Sequence, residues 1–188
     1  VIAAVACDGG KSWPEIVTLF QDPAGQHGYF EQKLAEISPG KLIATSWTVT
    51  LGDVEDLENS YVISDDDGNS WSNPMETGIT GQTMTPVPLS ADRFLIFYNR
   101  RYGVQGIVMD LVEIKDQKWR IVFEGLLYDA MNQRERPRNI ISAVDEFDGF
   151  EFGFPTAVRL ADGNVLATHW MKKDGSFGIM LSKLNIDW

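Results

Sequence analysis

The chain repeats itself, and a repeat constrains a fold more than composition does, because every copy has to build the same unit of structure. Residues 64–71 read Ser64-Asp65-Asp66-Asp67-Gly68-Asn69-Ser70-Trp71, which fits Ser-x-Asp-x-Gly-x-x-Trp at all four fixed positions. Residues 6–13 (ACDGGKSW) fit the same pattern with only the leading Ser replaced. Two worn copies, residues 115–119 (KDQKW) and 181–188 (LSKLNIDW), keep little beyond the tryptophan, so that Trp13, Trp71, Trp119 and Trp188 mark the period.

A second element repeats out of phase with the first. Residues 31–47 (EQKLAEISPGKLIATSW), 83–99 (TMTPVPLSADRFLIFYN) and 154–170 (FPTAVRLADGNVLATHW) align without gaps. Each reads as strand, tight turn, strand, with the turns at 38–41, 90–93 and 161–164 carrying the Pro, Gly, Asn and Asp of hairpins. A third strand follows each hairpin (61–64, 106–112, 177–184), then the tryptophan motif, then a fourth strand where the chain continues (76–79, 120–125). Four antiparallel strands in a unit of about 40–50 residues is the pattern of a β-propeller blade. The predicted fold is therefore all-β, with under about 10% helix against the usual 30–35%. The predicted division is a part blade over 1–29, blades over 30–81 and 82–128, and a part blade over 150–188. That makes about 13 strands, where six blades need about 24. A fragment of a longer protein, or a half-ring that closes with another copy of itself, is expected.

The aspartate of the motif has structural work to do. Its carboxylate can accept backbone N–H bonds within the turn between third and fourth strands, its glycine permits positive φ, and its indole can pack between blades. Calcium binding by Asp65, Asp66 and Asp67 is the alternative, but the spacing of an EF-hand loop is not met.

These repeats resemble the Asp-box, or BNR-repeat, proteins of the sialidase-like superfamily, whose architecture is a six-bladed propeller. The likeness runs through residues 29–32 (YFEQ), Gly81-Gln82, 101–107 (RYGVQGI) and 152–155 (FGFP) followed by 160–163 (LADG). It implies about half of such a propeller. It also implies a sialidase-like glycoside hydrolase acting on a glycan, one bearing an acidic sugar. Sialidases of the superfamily use a tyrosine nucleophile helped by a glutamate, an aspartic acid/base and three arginines that clamp the substrate carboxylate. The Arg-Ile-Pro type of motif is nowhere in this chain and no complete triad can be assigned, so a non-catalytic glycan-binding or protein-interaction propeller is the alternative.

Propeller geometry sorts the polar residues. Loops from second to third strand, and from fourth strand to the next blade, crowd one mouth, away from the tryptophan motifs. That mouth receives residues 51–59, 99–102, 128–151 and 171–176, and such loops over a rigid scaffold are where binding resides. Glu31, Arg101 and Tyr102 are the catalytic candidates: a carboxylate at the channel side, a guanidinium able to fork onto a carboxylate, and the tyrosine beside it. Gln82, Arg100, Trp47, His169, Trp170, Arg136 and Arg138 are the substrate-binding candidates. Most of these have a plainer reading. Arg100 and Arg101 can be salt-bridged strand ends, Trp47 and Trp170 packing residues at equivalent repeat positions, His169 a satisfied interior histidine, and residues 134–138 (RERPR) a solvated insertion.

Composition removes other classes. With 27 acidic against 16 basic residues and a formal charge of −11, the chain repels phosphate backbones, so no nucleic acid partner is expected. No apolar run approaches the roughly 20 residues of a membrane span. Cys7 is the sole cysteine, and no zinc spacing, serine triad or phosphate-cradling glycine loop is present. Neither cofactor nor metal is expected. The partner is expected to be a glycan or small sugar. The first residue is Val1, and no signal that would give the compartment is legible.

Overall fold

The structure, a computed structural model, describes residues 1–133 and 151–188. Thirteen strands are found there. β1 (Ile2–Val5) and β2 (Glu15–Thr18) pair as a two-stranded sheet. β3 (His27–Ser38), β4 (Lys41–Thr50), β5 (Ser60–Ser64) and β6 (Met75–Glu76) form a four-stranded sheet in chain order. β7 (Gln82–Pro88), β8 (Arg93–Arg100), β9 (Gly106–Lys115) and β10 (Lys118–Asp129) form a second, and β11 (Phe152–Arg159), β12 (Val165–Lys173) and β13 (Ser176–Leu184) a three-stranded one. Every pairing is antiparallel. The helix among the described residues is one turn, α1 (Ala130–Gln133). The chain is all-β and built of propeller blades, two whole and two partial, with no helix among the described residues long and apolar enough to cross a membrane.

β8 shows why the blades stack. Its sequence is apolar on both faces, and it is buried along nearly its whole length. Phe94, Ile96 and Tyr98 pack with Ile43, Tyr61, Ile79 and Met84 toward the sheet before it. Leu95 and Phe97, on the opposite face, pack with Val165 and Ala167 of the sheet after it. A strand covered on both sides cannot alternate polar and apolar residues, so it reads as a continuous apolar run.

The turns follow their sequence. Asp66 accepts from the Ser70 amide (2.9 Å), the Ser70 hydroxyl (2.6 Å) and the Ser64 hydroxyl (2.8 Å), and Asp8 accepts from the Lys11 and Ser12 amides at 2.9 and 3.0 Å. Gly68 takes φ 85°, and the Trp71 indole donates to its carbonyl at 3.0 Å. The carboxylates of these turns are exposed and hold their turns from the surface. One detail differs from expectation, the packing of the indole. Trp71 packs on Leu19, Phe20, Ala44 and Val62, whereas Trp13 lies open.

Candidate functional site

The first strands β3, β7 and β11 each carry a bulge at the same place in the repeat. Pairing slips between Phe30 and Lys33, between Gln82 and Thr85, and between Gly153 and Thr156. The residue before each bulge faces the residue that closes the repeat: Phe30 with Trp47, Gln82 with Asn99, Gly153 with Trp170. Two bulge residues are forced to positive φ, Glu31 at 50° and Phe154 at 49°, and neither is a glycine. For a bulky side chain that is a strained backbone, and strain of this sort gathers where a side chain must be aimed. All three bulges lie at the end of the sheets away from the Asp8 and Asp66 turns.

Arg101 sits just beyond β8 at this end and is 4% exposed. Its Nη2 lies 3.5 Å from the Phe152 carbonyl oxygen, and its guanidinium carbon stands 5.9 Å from the centre of the Phe152 ring. Gly153 makes this approach possible: a Cβ there would lie 3.0 Å from Nη2 and 3.3 Å from the Trp170 ring. Tyr128, near the end of β10 and paired with Ile107 of β9, joins the cluster with its ring 5.8 Å from Phe152 and 5.1 Å from His169. Loss of hydration in this interior pushes the His169 imidazole down to about 4, so it is neutral at neutral pH.

His169 is an interior histidine, 2% exposed, yet neither ring nitrogen has a hydrogen-bond partner among the described residues. The same holds for both amide atoms of Asn99, which lies on the same side of β8 as Leu95 and Phe97. A buried polar group without a protein partner is costly, and these two lie at one mouth, beside the bulges.

The other expected residues divide. Glu31 is exposed on its bulge, Gln82 is buried opposite Asn99, and Tyr102 is half-buried next to Arg101. Arg100 points to the other face of its sheet, where Nη1 meets Glu124 Oε1 at 2.7 Å and Nε donates to the Val104 carbonyl at 2.8 Å. The Trp47 indole donates to Asp56 at 2.7 Å and stacks against Phe30. Trp170 lies on the opposite face of β12 from His169, edge-on to Phe177 at 5.8 Å. Arg136 and Arg138 lie outside the described residues.

Asn99 and Tyr128 fall in the expected mouth segments and Phe152 and Phe154 in the family-like 152–155, but the sequence singled out none of the four. Asn99 had a signal, since the other two repeats carry a tryptophan at its position. It also passed over Asp110 of β9, fully buried on the face shared with Tyr98, with neither oxygen partnered among the described residues. Burial first, and the Glu124 charge second, push its carboxyl up to about 7. A cavity of ≈ 240 Å³ opens elsewhere, among Lys41, Tyr61, Asp65, Phe94, Asp116 and Gln117, and holds none of these groups. Its rim includes the closed Lys41–Asp65 ion pair (3.1 Å), which marks it as a gap between hairpin turns.

No protein-family model matches the sequence, and no curated protein matches it. Solved structures do. A protein of unknown function from Dyadobacter fermentans DSM 18053 matches with a TM-score of 0.68 at 22% identity, over 98% of this chain and 45% of that one. A point mutant of the NanB sialidase from Streptococcus pneumoniae matches with a TM-score of 0.60 at 12% identity, over 95% of this chain and 25% of that one. NanB bound to a small ethanesulfonate compound matches with a TM-score of 0.56 at 10% identity. The chain thus spans less than half the length of these proteins, and at such identities the likeness is one of fold: a propeller of the sialidase type.

Proposed function

We propose that this chain is part of a sialidase-like, carbohydrate-active propeller, and that its mouth between the sheets of β7–β10 and β11–β13 takes a glycan through an acidic sugar. The observation that carries the reading is Arg101, a buried guanidinium held against Gly153 at the level of the bulges. A guanidinium presents two parallel N–H donors that match a carboxylate, and it keeps its charge at any ordinary pH. Asn99 and the neutral His169 supply donors and acceptors suited to sugar hydroxyls. The fold shared with a sialidase supports the class of ligand. Glu31 and Tyr102 are the groups from which hydrolysis would draw a base or nucleophile.

The experiment is calorimetric titration with the methyl glycosides of glucuronic acid, N-acetylneuraminic acid and glucose, beside turnover assays on the matching fluorogenic glycosides. The acidic glycosides are expected to bind and the glucoside to bind weakly. Arg101→Lys is expected to weaken the acidic ones by about 1–3 kcal/mol, the range for hydrogen bonds to a charged group. Equal affinity in both proteins overturns the assignment. Binding without turnover gives the non-catalytic glycan-binding propeller instead.

A further inference from the structure

Arg100 is turned away from the mouth, onto the face of β8 that carries Ile96 and Tyr98, and there it ties two things together. Nη1 reaches Glu124 Oε1 on β10 at 2.7 Å, while Nε donates to the Val104 carbonyl at 2.8 Å. Val104 belongs to the turn of residues 101–105 between β8 and β9, the turn that also carries Arg101 and Tyr102. Among the described residues, the one backbone bond outside the strands that reaches this turn runs from the Ala130 amide to the Gln105 carbonyl (3.1 Å), so the Arg100 side chain closes the turn from the other side. The anchor of that closure has a rival. Register sets Asp110 directly opposite Glu124 on the neighbouring strand, and Asp110 is fully buried with neither oxygen partnered among the described residues. This stretch of β9 is faced by Ile96, Tyr98 and Arg100 of β8, by Glu124 of β10, and by Ile43, Tyr61 and Ile79 of the preceding blade. Burial holds the Tyr98 and Tyr61 phenols up and protonated, which leaves Arg100 as the cation of the set and Asp110, at about 7, as the group that changes charge near neutrality.

We infer that Arg100 is a positioning residue, a clasp that holds the 101–105 turn and through it Arg101, and that a proton on Asp110 keeps the clasp closed. With Asp110 protonated, Glu124 has the guanidinium to itself and Nε stays on Val104. When Asp110 gives its proton to solvent, two carboxylates on neighbouring strands compete for one guanidinium, and the buried one, without a partner, is the stronger claimant. Drawn inward, Arg100 releases the Val104 carbonyl and the turn loosens. Affinity for an acidic ligand at Arg101 is therefore greatest while Asp110 is protonated and falls once it ionises. The coupling to Arg101 rests on the reading of this mouth as an acidic-sugar site, whereas the clasp itself exists without a ligand.

NMR reads the clasp with no ligand present. In wild type the Arg100 Nε nitrogen and the Val104 carbonyl carbon are expected to shift together with a midpoint of about 7, and in Asp110→Asn both are expected to stay flat. Where Asp110→Asn does not fold, Glu124→Gln serves: it removes the charge opposite Asp110 and is expected to move the midpoint to lower pH. Calorimetry then reads the coupling. Wild-type affinity for methyl glucuronide is expected to fall roughly three- to tenfold from about pH 6 to about pH 8.5, and that of Asp110→Asn to hold its value. Arg100→Lys keeps a cation but has no fork to reach Glu124 and Val104 together, so its affinity is expected to be low throughout and without the inflection. Resonances that do not titrate in wild type overturn the clasp, as does a midpoint that survives unmoved in Asp110→Asn or Glu124→Gln. Titrating resonances beside a glucuronide affinity that ignores pH overturn the coupling to Arg101. Titrating resonances in a protein that binds no glucuronide at any pH support the clasp and overturn the acidic-sugar reading instead.

Discussion

Asp110 and His169 are both buried and without partners among the described residues, and they pull stability in opposite directions as pH changes. Asp110 rises from 3.8 to about 7 on folding, so its contribution is complete below the unfolded value and is lost as pH climbs through about 7. His169 falls from 6.5 to about 4, so its contribution is complete above 6.5 and is lost as pH drops toward about 4. Each slope is at most about 1.4 kcal/mol per pH unit, and between pH 4 and 6.5 the two oppose one another. Urea midpoints from about pH 4 to about pH 8 should therefore be flat for wild type in that window. Asp110→Asn should become acid-labile, and His169→Gln should lose stability as pH rises. A variant that keeps the wild-type profile would show its residue to be uninvolved. Asp66 offers a contrasting case, held below its usual range first by the Ser70 hydroxyl and fully solvated. Asp66→Ala should lower the melting temperature through the lost turn bonds and leave acidic-sugar affinity as it was, since the turn stands at the other end of the blade; lost affinity at unchanged melting temperature would contradict that placement.

The strands depend on a few close approaches. A Cβ on Gly106 would run into the carbonyl oxygen of Tyr128, its partner region on β10. Gly106→Ala is therefore expected to cost about 1–3 kcal/mol of stability by chemical denaturation and to disturb Tyr128 against His169 and Phe152; wild-type stability would mean that β10 yields without strain. The strands themselves were legible because alternation and hairpin residues recur in register, as in residues 38–41 and 161–164. The bulges were not. Positive φ is usually announced by glycine, but at Glu31 and Phe154 it is imposed by pairing across the sheet. Asp110 was hidden for a related reason: a lone polar residue in a strand reads as outward-facing, and this blade has no outward face there. The worn motif at Trp119 was legible as a repeat but not in its consequence. Asp116 and Gln117, both at positive φ, close β9 onto β10 in a two-residue turn, and the Trp119 indole has no acceptor among the described residues where Trp71 has Gly68.

At the scale of the molecule, the sheet of β11–β13 presents Phe177, Ile179 and Leu181 on one face, with Ile179 73% exposed. Alternation puts Val158 and Trp170 on that face as well. Ile2 and Ile16 lie open on the β1–β2 sheet. An apolar face of this kind is the surface a neighbouring blade covers within a propeller. The 188-residue polypeptide is expected to self-associate as its concentration rises in sedimentation, and Ile179→Lys with Leu181→Lys should shift it toward monomer. A monodisperse monomer throughout would refute this. The shared bulge has a different kind of consequence. It fixes the backbone at positions 31, 83 and 154 in one pattern of pairing, whatever residue the sequence supplies, so variation there is decoupled from variation in the scaffold. A combinatorial library randomised at those three codons would sample new chemistry at the bulged ends of three sheets while the surrounding pairing is inherited intact.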